Sequence, residues 1–231
     1  MNIEKSVLIS VQPKWCGLVA NHIKTREIRK NKPQLQPPFK CYIYCTKAKQ
    51  RFTHGGIVET LDDLFRMPNG KIKYGYSGEL MCSDEPYCED NFLNGKVIGE
   101  FVCDEIGTYE IEGFDKNNTL YQSIRRHIYD EEFEHALSFT EYSNDMEQDE
   151  IPEEGLLKQS CLTFEEIAEY IIGDKEFNFY TFYGWHISDL VIYNKPKELN
   201  EFVVERYPCL AKLKRPPQSW CYVEDVKGGV L

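Results

Sequence analysis

Positions 23 to 30 read Ile23-Lys24-Thr25-Arg26-Glu27-Ile28-Arg29-Lys30, with amine, hydroxyl, carboxylate and guanidinium groups crowded into one short stretch. A helix-like run over 13–21 precedes it and an apolar segment over 40–46 follows, so the flanks predict a turn into a strand. In extended chain, alternate residues share a face. Thr25, Glu27 and Arg29 then point one way, and Arg26 and Ile28 the other, with Ile28 facing a core. Lys24 falls at the turn, where strict alternation does not hold. A hydroxyl, an acid and a base in a row suit gripping something polar and planar. The same pattern also fits an ordinary solvated strand face carrying cross-strand ion pairs.

The neighbourhood bears on that choice. From Cys16 to Gly56 the only acidic residue is Glu27, among Lys24, Arg26, Arg29, Lys30, Lys32, Lys40, Lys47, Lys49 and Arg51. The whole chain is acidic, with formal net charge -11. The basic zone is a local departure from that balance, and it coincides with the unusual motif.

At 231 residues the chain can bury a substantial core as one domain carrying an elaborate insertion. No apolar run approaches the length that crosses a bilayer. Met1-Asn2-Ile3-Glu4-Lys5 lacks the features of a signal peptide, so a cytoplasmic protein is expected. Nine cysteines, an odd number without a secretory signal, read as reduced thiols. Cys41 and Cys45 share a strand face but stand roughly 13 Å apart, too far for one zinc ion. Cys82 and Cys88 flank a loop, yet no second pair has ligand spacing. No metal or other cofactor is expected.

Along the chain, 6–11 reads as a first strand, and Pro13 opens a helix where its missing N–H costs nothing. Trp15, Leu18, Val19 and His22 make one stripe, with Asn21 as the left-handed exit and His22 as a partly buried cap. Strands follow over 39–46 and 96–106, separated by loops and closed by the turn signal Asn94-Gly95. In the first of these, Cys41, Ile43 and Cys45 face one way and Tyr42, Tyr44 and Thr46 the other. Every charged residue from Asp130 to Glu154 is acidic, and 107–173 reads as an acidic insertion with a solvated surface. Thr163 with Glu166 is a capping-box pattern before an amphipathic helix of Phe164, Ile167, Ala168 and Ile171. Extended segments over 177–182, 185–192 and 219–226 complete the chain.

Scattered strands with two short helices predict an α+β fold, a small mixed β-barrel flanked by helices. Regular helix–strand alternation is absent, which argues against a doubly wound sheet. There is no glycine-rich phosphate loop after a strand and no serine in a nucleophile elbow.

Four N-terminal pieces resemble the ASCH family of PUA-like barrels. They are Ser10-Val11-Gln12-Pro13-Lys14-Trp15, Lys24-Thr25-Arg26-Glu27-Ile28-Arg29, Tyr42-Ile43-Tyr44-Cys45-Thr46-Lys47 and Gly95-Lys96-Val97-Ile98-Gly99. Tyr183-Gly184-Trp185-His186-Ile187-Ser188-Asp189-Leu190 and Arg215-Pro216-Pro217-Gln218-Ser219-Trp220-Cys221-Tyr222-Val223-Glu224 look like pieces of ASCH proteins common in bacteriophages and prophages. The likeness runs from near Val7 to near Glu224 and skips most of 106–173.

The resemblance implies a cleft between barrel and first helix that binds RNA, a nucleotide or a modified base. Lys24, Thr25, Glu27 and Arg29 would line it, with Tyr44, Thr46 and Trp185 as wall residues. Cations there would position phosphates, an aromatic face would stack a base, and a carboxylate would accept from an exocyclic amine. One branch of the family hydrolyses N4-acetylcytidine with a lysine, a threonine three residues later and a distant glutamate. Lys24 matches that lysine, but Glu27 stands in the threonine position and His22 replaces the family's usual glycine. If the chain were such an amidohydrolase, Lys24 and Glu27 would be its catalytic pair. A reactive lysine must shed its proton, and a neighbouring Glu27 favours the charged form. The expectation is therefore a binder rather than an enzyme. A third reading is a phage-encoded interaction protein that blocks or mimics a host component, for which the acidic insertion would meet a protein partner.

Overall fold

Ser6–Val11 forms strand β1, buried at every position. A strand buried along its whole length belongs inside a sheet covered on both faces. The computed structural model describes residues 5–46, 51–53, 56–58, 73–74, 81–82, 95–112, 123–130, 135–143, 155–173, 179–206 and 209–225. After β1 come helix α1 (Pro13–Ala20), β2 (Arg26–Arg29) and β3 (Phe39–Cys45). Four short strands follow, β4 (Arg51–Thr53), β5 (Gly56–Val58), β6 (Lys73–Tyr74) and β7 (Met81–Cys82). The longer strands β8 (Val97–Cys103), β9 (Ile106–Glu112), β10 (Ser123–Asp130) and β11 (His135–Ser143) lead to helices α2 (Leu156–Ser160) and α3 (Phe164–Ile171). The remainder is β12 (Tyr180–His186), β13 (Ser188–Lys197), β14 (Phe202–Arg206), β15 (Cys209–Lys212) and β16 (Trp220–Asp225).

The chain divides into two compact units. The first comprises Met1–Ile23, Phe39–Val102 and Ser188–Leu231, and the second Lys24–Pro38 and Cys103–Ile187. In the first unit a seven-stranded sheet runs β13-β8-β3-β1-β16-β14-β15. β1 lies parallel to β3, with Leu8 beside Tyr42, and antiparallel to β16, with Leu8 beside Cys221. Leu8, Tyr42, Tyr44, Val97, Phe202, Leu213 and Val223 pack into one core cluster.

Helix α1 opens at Pro13 as its residue type requires. Its buried face is Cys16, Val19 and Ala20, while Trp15 and Leu18 are half-buried and His22 is exposed. The expected stripe is thus rotated. The left-handed residue is His22 (φ 56), not Asn21 (φ -95). Asn21 donates its side-chain amide to the Gly17 carbonyl at 2.8 Å, which holds it as the cap and moves the exit one residue on.

The second unit is built on a five-stranded antiparallel sheet, β11-β10-β9-β12-β2. One face, through Ile28, Tyr109, Ile111, Ile124 and Phe182, packs on Leu156 of α2 and on Phe164, Ile167, Ala168 and Ile171 of α3. The expected capping box starts α3: Glu166 donates its backbone N–H to Thr163 Oγ1 at 3.2 Å, and Thr163 donates its own to Glu166 Oε2 at 3.0 Å. The stretch 107–173, read from sequence as an acidic insertion, provides three of the five strands and both helices of this unit.

The fold is α+β and mostly sheet, with few short helices. The expected small barrel is not what the strands form: among the described residues they are shared between two larger open sheets and two short two-stranded ones. Alternation reveals a strand's faces but not its neighbour, and closure depends on neighbours. Among the described residues no helix is long and apolar enough to cross a membrane.

Candidate functional site

Lys24, Glu27 and Arg29 form one connected cluster in the second unit. Lys24 Nζ donates to the Ser160 carbonyl at 2.6 Å and stands 3.4 Å from Glu27 Oε2. Glu27 Oε1 lies 2.9 Å from Arg29 Nη2. Period-two alternation puts Glu27 and Arg29 on one face of β2, and Lys24 reaches them from the preceding turn. The side chains are only 2% exposed for Lys24, 10% for Glu27 and 9% for Arg29, so this is no solvated strand face. Thr25 is half-buried and fixed by its backbone, donating to the Gln159 carbonyl and accepting from the Ile187 N–H, both at 2.9 Å.

Trp185 is the register partner of Glu27 across β12 and β2. Cross-strand partners share a face, so the indole flanks the acid, as a wall residue would. Its exposure is 0%, which leaves no open ring surface for stacking a base. Tyr44 and Thr46 belong to the other unit. Tyr44 is buried in that unit's core, and burial raises its phenol above the ordinary range. With Thr46, Gly95, Glu198, Lys214 and Pro216 it lines a cleft of about 610 Å³.

The opposite face of β2 holds a second charged cluster that alternation alone did not reveal. Arg26, 4% exposed, donates Nε to Gln159 Oε1 at 2.7 Å and Nη1 to the Gly184 carbonyl at 3.2 Å. Its guanidinium also meets Glu105, which Arg126 approaches to 2.6 Å. The signal for this arrangement is Gly184, a lone glycine in an aromatic strand: a Cβ there would stand 2.8 Å from Arg26 Cδ. Nearby in sequence, His186 Nδ1 lies 2.7 Å from Asp104 Oδ1, both half-buried to exposed. Burial, aided by the Asp104 charge, pushes the Cys103 thiol up to about 12. It is a neutral thiol near pH 7, not a nucleophile.

The basic zone separates into buried and exposed cations. Lys24, Arg26 and Arg29 are buried against carboxylates, and Lys40 meets Glu100 at 2.8 Å. Lys30 and Lys32 are exposed, each 5.2 Å from an aromatic ring, those of Tyr170 and Tyr183 respectively. Lys47, Lys49, Cys88 and Glu154 lie outside the described residues. Glu154 and Glu165 are the glutamates available as the distant acid of such a hydrolase, and Glu165 is exposed in the first turn of α3. Among the described residues no three His, Cys, Asp or Glu side chains are grouped to hold a metal ion. Comparison with protein-family models, with curated proteins and with solved structures finds no match to this chain.

Proposed function

We propose that this chain is an ASCH-like protein of the PUA type that binds RNA, a nucleotide or a modified base at the Lys24–Glu27–Arg29 cluster. The observation that carries the reading is the cluster itself: three charged side chains, each nine-tenths buried or more, are joined through Glu27, which stands 3.4 Å from Lys24 and 2.9 Å from Arg29. Ser160 fixes the lysine from behind. Such mutual positioning costs a protein desolvation energy, and it presents a rigid pattern of donors and acceptors suited to a polar, planar ligand. Lys30 beside Tyr170 and Lys32 beside Tyr183 follow directly after β2, and cations close to aromatic rings are the two ingredients that single-stranded nucleic acid sites combine.

Hydrolysis of an acylated nucleoside is the weaker reading. Lys24 directs its amine at a carboxylate and a carbonyl, so the group is held by two protein partners and not aimed at an acyl carbon.

Mass spectrometry of nucleosides, nucleotides and oligonucleotides that copurify with the full chain tests the proposal. A bound species retained by the wild type and lost in Glu27→Gln supports it. In parallel, affinity for single-stranded RNA should fall as salt rises, and should fall again in Lys30→Ala with Lys32→Ala. No copurifying species, together with no affinity for RNA or nucleosides at low salt, overturns it.

A further inference from the structure

We propose that β11 is a docking edge for an extended, basic polypeptide segment, which would join the second unit's sheet as a sixth strand. β11 ends the strand order of that sheet, with β10 its one neighbour among the described residues. Leu137, Ser138, Phe139 and Thr140 are exposed in succession. An edge strand presents a row of N–H and C=O groups to any chain that can pair with it. Main-chain bonds then supply affinity, and alternate side chains supply selectivity.

β11 has those alternate side chains. Its register sets Leu137 opposite Ile128 and Phe139 opposite Arg126. Ile128, Leu137 and Phe139 therefore share one face, where they are 43%, 36% and 50% exposed. Ile124, on the same face of β10, is fully buried in the core against α3. The patch is thus the uncovered end of a face that is packed elsewhere.

Charge identifies the occupant. All eleven charged residues from Asp130 to Glu154, the sequence that carries β11, are acidic. The rest of the chain is balanced, 27 acidic residues against 27 basic. The molecule's entire formal net charge thus belongs to this stretch. On β10, Arg125 and Arg126 are engaged by Glu112 and Glu105. A second copy pairing through β11 would bring acid against acid. Proteins that guard an edge against pairing place lysines on it, and β11 has none. A strand alternating Lys or Arg with β-branched or aromatic residues complements both the apolar face and the charge. This inference stands apart from the ligand cluster on β2.

The test titrates the full chain with a short fluorescent peptide in which Lys alternates with Val and Ile. A control peptide has the same composition with its lysines in one block. The alternating peptide should bind at least about tenfold tighter than the block peptide, and Phe139→Lys should remove at least about tenfold of that affinity. Hydrogen exchange on the wild-type chain should show amides 137–140 gaining protection when the alternating peptide binds, a readout independent of any variant's folding. Equal binding of both peptides, no binding of either, or no protection at 137–140 overturns the proposal. So does a wild-type dimer in sedimentation that Phe139→Lys dissociates, since the occupant would then be a second copy.

Discussion

Glu27 and Trp185 are register partners on β2 and β12, so a carboxylate and an indole with no exposed surface stand side by side on one sheet face. The acid has little water to turn to, and its charge is met by Lys24 and Arg29. Glu27→Ala leaves two buried cations without that carboxylate. It should cost about 3–5 kcal/mol of folding stability, the usual penalty for breaking a buried ion pair, read as a lower urea midpoint at unchanged slope. Glu27→Gln, which keeps the shape and one acceptor, should cost less.

Lys24 separates binding from catalysis. Incubated with N4-acetylcytidine, the wild-type chain should release no cytidine above background, because the amine is committed to Glu27 and Ser160. Multiple turnovers that disappear in Lys24→Arg would reverse this, since arginine keeps the charge but cannot act as a nucleophile.

Gly184 is where β12 makes room for its neighbours. A Cβ added there would meet Arg26 Cδ at 2.8 Å and Tyr109 Cε2 at 2.9 Å. Gly184→Ala should destabilise by about 1–3 kcal/mol, the range for overpacking a filled interior. Thermal melts of the two chains side by side measure it.

The thiols carry a pH dependence. Burial raises Cys103 from its ordinary 9.0 to about 12, and Cys221 to about 11. Above pH 9 the unfolded chain loses these protons while the folded chain keeps them. Stability that is fully present below pH 9 is therefore lost as pH climbs toward 12. Chemical melts at stepped alkaline pH should show that decline, and substituting both cysteines with Ala should make it shallower, with buried tyrosines such as Tyr44 supplying the remainder. At pH 8 both thiols should resist alkylation in the folded chain, whereas all nine should label once it is unfolded and kept free of reductant.

Local patterns were the legible part of this chain. β1 has the bounds its apolar run suggests, and the Thr163–Glu166 box begins α3 where the motif places it. On β2, alternation sorted Glu27 and Arg29 from Arg26 and Ile28, and Ile28 does enter the core. On β3, alternation set Tyr42 and Tyr44 opposite Cys41, Ile43 and Cys45, but it could not tell that β3 lies between β1 and β8 with both faces buried. β10 was hidden by its composition: Arg125 and Arg126 look solvated in sequence, yet they meet glutamates at 112 and 105. Which sheet a strand joins is a matter of distant partners, and no local window contains them.

β1 sits between β3, an early strand, and β16, the last of the described strands. Vectorial synthesis can satisfy the β3 side early, but the β16 side must wait until nearly all described residues have emerged. β2 faces the same delay, because among the described residues its one sheet neighbour is β12, which comes late. Both larger sheets thus pair early strands with late ones, and such non-local pairing gives a high contact order and a slow, late-committing route to the native state.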